Sequence, residues 1–430
     1  MRYLPINNEL FIENRTRFIR MLPNNSVAIF YSNDKQPRNG DQYFPYRQQS
    51  DFFYLSGINQ EKSILLITPN HKNTDFRVVL FLLKTNKKIA TWEGNKYTKK
   101  EARILSGIDN IYWLDDFDSI LQNVLKTTKD IFLNQNLDPN YIQEIKDRNS
   151  RLGGKLKEKF PSYNYVSSTQ LMIKSRLIKS DKEIELLNKA CAITNKAFNR
   201  VLATTKPNIF EFEIQADIEY EFTNNRANGH GYAPIIASGK NSCVLHYTDN
   251  DKKCNNGDLV LFDFGAEYAN YSADMSRTIP VNGKFTNRQK ECYNAVLRTF
   301  KLAKKLYVVG NTINFINEKV NSMMEKEMIK LGLFTNKDVK NQDDENPLFK
   351  QYFMHGTAHF LGLDVHDVGD KDEVFRPGMV LTCEPGLYIV KEKIGIRIEN
   401  DILITSGNPI DLMKDIPIEI KDIERLMLAK

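Results

Sequence analysis

The chain has 430 residues, which predicts two or three domains at about 150 residues each. Hydrophobic residues make up 41% and charged residues 27% of the chain, so disordered and fibrous classes are excluded. The 60 basic and 54 acidic residues leave a net charge of +6. Because the two signs are interleaved, as at residues 182–189, we expect a mixed solvated surface and no nucleic-acid partner.

The termini and cysteines indicate the compartment. The longest apolar runs, such as residues 78–83, are far shorter than the roughly 18 residues of a spanning helix, so we expect no membrane association. Residues 1–15 lack the layout of a secretory signal, which predicts a cytoplasmic location. The cysteines are odd in number and form no CxxC pair, so we expect reduced thiols at Cys191, Cys243, Cys254, Cys292 and Cys383.

In chain order, strand-like runs at residues 26–31, 63–68 and 78–83 alternate with short helical stretches, which predicts a mixed α/β domain over residues 1–170. Ser180 and Glu183 then form a capping box, which predicts the start of a long helix. A stripe of mostly apolar residues at helical spacing should face the core: Ile184, Leu187, Cys191, Thr194, Phe198 and Val201.

The remaining chain, residues 171–430, has the pattern of a second domain. Helical spacing occurs at residues 287–307 and 312–331, and strand-like runs occur at residues 259–264, 379–390 and 394–405. We therefore expect an α+β domain with helices on one side of a mainly antiparallel sheet. Five of the six histidines lie here, so the chemistry is expected here too.

Two predicted hairpins carry carboxylates at strand positions. Asp263 interrupts an apolar strand, and a hairpin turn would place Asp274 on the neighbouring strand. An alternative is that Asp263 pairs with Arg277 while Asp274 caps a turn. In the second hairpin, Glu384 ends an apolar strand, and Arg397 and Glu399 are predicted to share one face of the returning strand. Buried charges of this kind need a cation or hydrogen-bond donors to compensate them, so positive charge is expected nearby.

Three histidines lie between these hairpins, at His355, His359 and His366, in a glycine-interrupted apolar segment, and His246 follows another apolar run. The spacing of the first two resembles two zinc ligands on a helix, but the intervening glycine and the absence of a glutamate after His355 exclude that motif. Four carboxylates and one imidazole exceed what a single tetrahedral zinc needs. They favour two Mn, Co or similar ions and hydrolytic chemistry.

These residues resemble the pita-bread metallopeptidases, and among them the bacterial aminopeptidase P (Xaa-Pro aminopeptidase) family. The matching stretches are residues 46–57, 245–248, 257–263, 280–286, 355–369, 377–382, 384–388 and 395–399. The resemblance implies an N-terminal aminopeptidase-P-type domain (1–170) and a pita-bread catalytic domain (171–430). It also implies metal ligands at Asp263, Asp274, His359, Glu384 and Glu399.

The resemblance assigns further roles. Glu384 would accept the proton of the attacking water, and substrate-binding or intermediate-stabilising positions are implied at His246, His355, His366 and Arg397. Trp92 resembles a residue that reaches the proline pocket of a neighbouring subunit, and a homo-oligomer, either a dimer or a tetramer, is implied.

The implied activity is release of an N-terminal residue from peptides with proline in second position, with two divalent ions, manganese first and cobalt or zinc as alternatives. Prolidase, which accepts only Xaa-Pro dipeptides, is the close alternative. A non-catalytic peptide-binding module on the same fold is a further one. Retention of all five ligand positions disfavours both that module and the metal-free creatinase branch.

Overall fold

A computed structural model describes residues 2–135, 146–343 and 345–429. The chain divides into two compact units: an N-terminal unit, Pro5–Arg176, and a C-terminal unit of residues 177–429 with residues 2–4. Among the described residues, every helix is too short or too polar to cross a bilayer. All five cysteines are free thiols, as predicted.

The N-terminal unit alternates strands and helices. Its strands are β1 (Ser26–Tyr31), β2 (Pro37–Asn39), β3 (Gln42–Tyr43), β4 (Ile64–Ile67), β5 (Val78–Leu82), β6 (Asn110–Trp113), β7 (Asp130–Leu133) and β8 (Asn164–Ser167). Its helices are α1 (Glu9–Ile19), α2 (Ser50–Ser56), α3 (Lys87–Glu93), α4 (Lys99–Ser106), α5 (Phe117–Leu125), α6 (Arg148–Lys159) and α7 (Thr169–Arg176).

Six of these strands form one mixed sheet in the order β6-β5-β4-β1-β7-β8. The β1–β4 and β4–β5 pairs are antiparallel, whereas the outer pairs are parallel. The three strand-like runs of the sequence form its centre, β1, β4 and β5, because these apolar strands are buried on both faces.

The C-terminal unit begins with the predicted capped helix. Its helices are α8 (Asp181–Thr204), α9 (Glu211–Asn224), α10 (Asn287–Ala303), α11 (Ile313–Lys330), α12 (Asn336–Lys340) and α13 (Ile420–Leu428). Its strands are β9 (Gly229–His230), β10 (Ile235–Ser238), β11 (Leu259–Asp263), β12 (Ala266–Tyr268), β13 (Tyr271–Ser272), β14 (Ser276–Pro280), β15 (Val380–Cys383), β16 (Gly386–Ile389), β17 (Ile394–Arg397), β18 (Asn400–Leu403) and β19 (Ile410–Asp411).

These strands form small antiparallel sheets, ordered β10-β11-β14, β13-β12-β9, β15-β18-β19 and β16-β17. Helix α8 begins with the Ser180 and Glu183 capping box. Its predicted stripe is buried apart from Ile184, which is half-buried. The Thr194 hydroxyl accepts a hydrogen bond from the Ala266 N–H at 3.0 Å. Helix α8 therefore supports the segment that joins β11 to β14.

Candidate metal centre

Asp263 and Asp274 lie close together, although only one of them is on a strand. Asp263 is the last residue of β11, whereas Asp274 lies between β13 and β14. The prediction of neighbouring strands is therefore wrong for Asp274, because the chain forms an additional hairpin, β12 and β13, before β14 returns to β11. Gly265 permits this close approach, since a Cβ atom there would lie 1.7 Å from the Ala273 carbonyl oxygen.

The two aspartates share one hydroxyl group. The Tyr232 hydroxyl lies 2.6 Å from Oδ1 of Asp263 and 2.5 Å from Oδ1 of Asp274. The other oxygen of Asp263 accepts a hydrogen bond from Nη2 of Arg397 at 2.6 Å. The alternative pairing of Asp263 with Arg277 is wrong, because Arg277 lies one register position away on β14 and projects from the opposite face.

Glu384 and Glu399 lie where one long hairpin is interrupted. Strand β15 pairs with β18 and β16 pairs with β17, and both glutamates fall in the break. The break follows from Pro385, which has no N–H to donate to the ladder. The predicted strand that carries Arg397 and Glu399 on one face ends at Arg397. Glu399 lies two residues beyond that end, and its Oε2 accepts from the Ser276 hydroxyl of β14 at 2.6 Å. The same Oε2 lies 4.0 Å from Nε of Arg397, so the two charges meet as the predicted shared face requires.

His359 brings a nitrogen to these carboxylates. Its Nε2 lies 3.3 Å from Oδ2 of Asp274 and 3.8 Å from Oε1 of Glu384. Its Nδ1 lies 3.0 Å from the Phe360 carbonyl oxygen. A hydrogen bond from Nδ1–H to that carbonyl leaves the lone pair of Nε2 directed at the site, which is the tautomer that a metal ligand requires.

The carboxylates are buried with too little positive charge. Burial raises the pKa of Glu384 to about 7, against the opposing charges of His359 and Arg397. Burial and the charge of Asp274 raise the pKa of Glu399 well above its usual range. Burial lowers the pKa of His359, but the hydrogen bond and charge of Asp274 outweigh it and raise the pKa to about 9. Each shift indicates that the ionised carboxylates need further cations.

This donor set fits divalent metal ions. Asp274, His359 and Glu399 each offer one atom within 4.8 Å of the others. Glu384 and Asp263 approach the same group through His359 and the shared Tyr232 hydroxyl. Several carboxylate oxygens with one imidazole nitrogen suit ions such as Mn, Co or Zn. The charge of such ions would also stabilise the ionised carboxylates.

His355 and Arg397 lie beside the carboxylates and share a tyrosine. Nε2 of His355 lies 2.7 Å from the Tyr388 hydroxyl, which accepts from Nη1 of Arg397 at 2.9 Å. Nδ1 of His355 lies 3.5 Å from Oε2 of Glu384. Gly386 leaves room for this pair, since a Cβ atom there would lie 3.0 Å from Nε2 of His355. The network therefore links Arg397 to Asp263 and His355 to Glu384, two of the predicted ligands.

His366 and His246 are both exposed to solvent. The His366 ring stands edge-on to His359, with ring centroids 4.5 Å apart, and is exposed to solvent. His246 is also exposed, and its charge contributes to the lowering of the pKa of both His355 and His366, although burial is the larger cause in each. Trp92 lies on α3 in the N-terminal unit and is 82% exposed, and its role stays a prediction.

Three residues of the site were missed by sequence reasoning: Tyr232, Ser276 and Tyr388. Each contributes a hydroxyl that contacts a predicted ligand or its neighbour. Their hydroxyls carry no spacing signal, because the contacts join segments that are distant in sequence. One signal that could have pointed to Tyr232 is the pair of glycines just before it, at 229 and 231.

Comparison with known proteins gives the family. The profile of metallopeptidase family M24 matches residues 185–406, and that of the aminopeptidase P N-terminal domain matches residues 11–132. The chain belongs to metallopeptidase family M24. It is similar to the Xaa-Pro aminopeptidase of Haemophilus influenzae, with 36% identity over 97% of each chain. It is 33% identical to that of Escherichia coli, over 99% of this chain and 98% of the relative.

Solved M24 structures agree. The Zn-substituted Escherichia coli aminopeptidase P in complex with product superposes with a TM-score of 0.90 and 31% identity over 99% of each chain. The predicted resemblance, the fold class and the hydrolase class are thereby confirmed: a mixed α/β N-terminal domain precedes a pita-bread α+β domain. M24 membership also implies bound divalent metal ions. The individual site residues stay predictions, supported by the geometry above.

Proposed function

We propose that this chain is a Xaa-Pro aminopeptidase that hydrolyses the bond between an N-terminal residue and a following proline with two divalent metal ions. The observation that carries the proposal is the cluster of Asp274, His359 and Glu399, with Glu384 beside His359 and Asp263 joined to Asp274 through the Tyr232 hydroxyl. The full length of the chain also resembles Xaa-Pro aminopeptidases. The proposed ligands are Asp263, Asp274, His359, Glu384 and Glu399.

The proposed substrate explains why metal ions and proton-transfer groups are needed together. A bond before proline is a tertiary amide without an N–H, and the proline ring prevents extended strand-like binding. Two bound ions would supply positive charge for the scissile carbonyl and lower the pKa of a shared water. Hydrolysis then needs protein groups that accept one proton and deliver another to the leaving nitrogen.

The chain's own residues supply these proton transfers. Glu384 is proposed to accept the proton of the attacking water, because its carboxylate lies within the cluster beside His359 and His355. His246 or His366, both exposed to solvent, is proposed to donate a proton to the departing proline nitrogen. Arg397, fixed by Asp263 and Tyr388, would provide positive charge near the carbonyl oxygen.

Three finer points belong to the same proposal. Manganese is proposed as the working metal, with cobalt or zinc as alternatives, because the donor set is rich in carboxylate oxygens. A cytoplasmic location is proposed because all five cysteines are free thiols. A homo-oligomer, dimer or tetramer, is proposed from the resemblance to aminopeptidase P.

The test uses the purified full chain, stripped with a chelator and reloaded with manganese, cobalt or zinc. Three substrates are compared: an Xaa-Pro dipeptide, a longer peptide with proline second, and the same longer peptide with alanine second. We expect the manganese-loaded protein to release the first residue from both proline substrates and to leave the alanine peptide intact. The stripped protein should be inactive.

Other outcomes separate the alternatives. Cleavage confined to the dipeptide would identify a prolidase. Metal and peptide binding without turnover would identify a binding module. Equal cleavage of the alanine peptide would contradict proline specificity.

A further inference from the structure

Glu211, the first residue of α9, is a buried carboxylate that accepts four hydrogen bonds. It is 0% exposed and lies outside the proposed metal ligands. Its Oε1 accepts from the backbone N–H and the hydroxyl of Ser238, at 2.8 and 2.6 Å. Its Oε2 accepts from the Tyr247 hydroxyl at 2.8 Å and from the Lys252 N–H at 2.9 Å. Both oxygens are therefore fully used.

Two of these donors hold the loop that follows His246. Tyr247 is the next residue along the chain, and Lys252 returns a second bond by accepting from the Glu211 N–H at 2.9 Å. Between them, Asn250 donates to the Pro234 carbonyl and accepts from the Ile236 N–H, both at 2.9 Å. The loop from 247 to 252 is thus tied to α9 at both ends and to β10 in the middle.

The His246 ring itself has no such anchor. It is exposed, and within the described parts of the chain no hydrogen bond fixes it. Its two neighbours, Leu245 and Tyr247, nevertheless pack in one apolar cluster with Tyr388, whose hydroxyl lies 2.7 Å from His355 at the proposed metal centre. The direction of the ring therefore depends on the backbone at residues 245–247, and Glu211 is the group that fixes the far side of that backbone.

A carboxylate is required for this arrangement. Glu211 meets four donors, and only an ionised carboxylate can accept from all of them. A glutamine would point its NH2 group at either Ser238 or the pair of Tyr247 and Lys252. Because that NH2 group is itself a donor, the buried donors facing it would lose their acceptor.

We infer that Glu211 is a positioning residue, which holds the 247–252 loop so that His246 faces the peptide at the metal centre. The inference rests on the proposed function, because His246 matters only if a peptide is processed there. Glu211 does not touch the reacting atoms, and its effect on turnover should pass mainly through His246, with only a small share through Ser238 on β10.

A double-mutant cycle tests this route. The full chain, loaded with manganese, is compared as wild type, Glu211→Gln, His246→Ala and the double variant, with kcat and KM measured on a peptide with proline second. We expect Glu211→Gln to lower kcat/KM about tenfold or more and to lower it less than twofold further in the His246→Ala background. Metal stoichiometry should stay at the wild-type value. If the losses in kcat/KM from Glu211→Gln and His246→Ala multiplied in the double variant, the inference would be overturned, because that would indicate general structural damage.

Two more variants make the result specific. Ser238→Ala removes a different donor to Glu211, the hydroxyl of a residue on β10 and not on the loop. Its loss in kcat/KM should multiply with the loss caused by His246→Ala. Tyr247→Phe removes one of the two donors that link the loop to Glu211, the one next to His246, and its loss in kcat/KM should depend on His246 as that of Glu211→Gln does. It also keeps the inference testable if the buried Glu211→Gln change prevents folding. Multiplication of the Tyr247→Phe and His246→Ala losses would then overturn it.

A structural readout separates this inference from the proposed function. In protein labelled with ¹³C at histidine Cε1, the His246 resonance, assigned with His246→Ala, should broaden or shift in Glu211→Gln while the other histidines stay in place. That result in a protein without peptidase activity would uphold the positioning role and reject the proposed function. An unchanged His246 resonance in an active protein would reject the positioning role alone.

Discussion

Nη2 of Arg397 lies 2.6 Å from Oδ2 of Asp263, and this pair joins the two hairpins of the C-terminal unit. Arg397 also donates to Ser276 at 2.7 Å and to Tyr388 at 2.9 Å. Its guanidinium is thus the fixed positive charge within a cluster of buried carboxylates. A partner removed from a buried ion pair leaves an uncompensated charge.

Arg397→Met should destabilise the metal-free protein by about 3–5 kcal/mol, because the neighbouring carboxylates lose their counter-charge. The measurement is urea unfolding in the presence of a chelator. Arg425→Met is the matched control, since the Arg425 side chain is 67% exposed and its pair with Asp422 spans 3.4 Å, so a change within about 0.5 kcal/mol is expected. Equal losses in the two variants would contradict the prediction.

Glu384→Gln should preserve folding and most metal binding but lower turnover by roughly 10²–10⁴-fold, because the proposed proton acceptor is lost. The measurements are kcat on a peptide with proline second, metal content and the thermal midpoint. Glu373→Gln, which changes a glutamate in an exposed contact with nearby Arg376, serves as the control. Near-normal turnover in Glu384→Gln would refute the assigned role.

Tyr232→Phe should weaken manganese binding by roughly 10–100-fold, the range typical of groups that orient metal ligands. The Tyr232 hydroxyl contacts one oxygen of both Asp263 and Asp274, so its removal frees both carboxylates to rotate. Calorimetric titration of the chelator-treated protein measures the change. Tyr220→Phe, at a 53% exposed tyrosine on α9, should bind manganese as the wild type does. Equal manganese affinity in the Tyr232→Phe and Tyr220→Phe variants would contradict the prediction.

Gly265→Ala should abolish the thermal stabilisation by manganese, because the added methyl group would meet the Ala273 carbonyl oxygen at 1.7 Å and force Asp263 and Asp274 apart. The thermal midpoint with and without manganese is the measurement. Gly154→Ala is the control, since a Cβ atom at this helical position meets nothing within 4 Å and should stabilise α6 by up to about 1 kcal/mol. A normal manganese response in Gly265→Ala would contradict the argument.

In the metal-free protein, the stability contributed by Glu384 and His359 should be lost as pH rises from about 5 to 9. The pKa of Glu384 is raised to about 7 by burial, and that of His359 is raised to about 9, mainly by Asp274 against burial. Both groups therefore bind protons more tightly when folded, and the free energy of unfolding falls as those protons leave. Thermal midpoints in a chelator across this range provide the check.

The matched variant for the pH experiment is Glu384→Gln, which should flatten the fall between about pH 4.5 and 7 and leave the part due to His359. Manganese should remove most of the dependence, because the ions replace the protons. A midpoint that increases steadily with pH in the metal-free protein would be the opposite of the expected result.

Several elements could be predicted from strong local signals in the sequence. The apolar runs that became β1, β4 and β5 and the capping box that starts α8 depend on neighbours within a few residues, so spacing alone predicts them. The motif order from Asp263 to Glu399 likewise indicated the metallopeptidase family, which the comparisons confirm. These features depend either on neighbouring residues or on the order of motifs along the chain, and both can be read directly from a sequence.

The contacts between distant side chains, in contrast, became visible only in the folded chain. Arg397, and not the nearer Arg277, pairs with Asp263, because strand register places Arg277 on the opposite face. Tyr232 and Glu211 make hydrogen bonds to residues of distant segments. No sequence pattern marks such a contact, so these hydrogen bonds could not be predicted. Sequence periodicity reports which face of a strand a side chain takes, whereas contacts across sheets depend on how whole strands pack, and that is set by burial and close backbone approach.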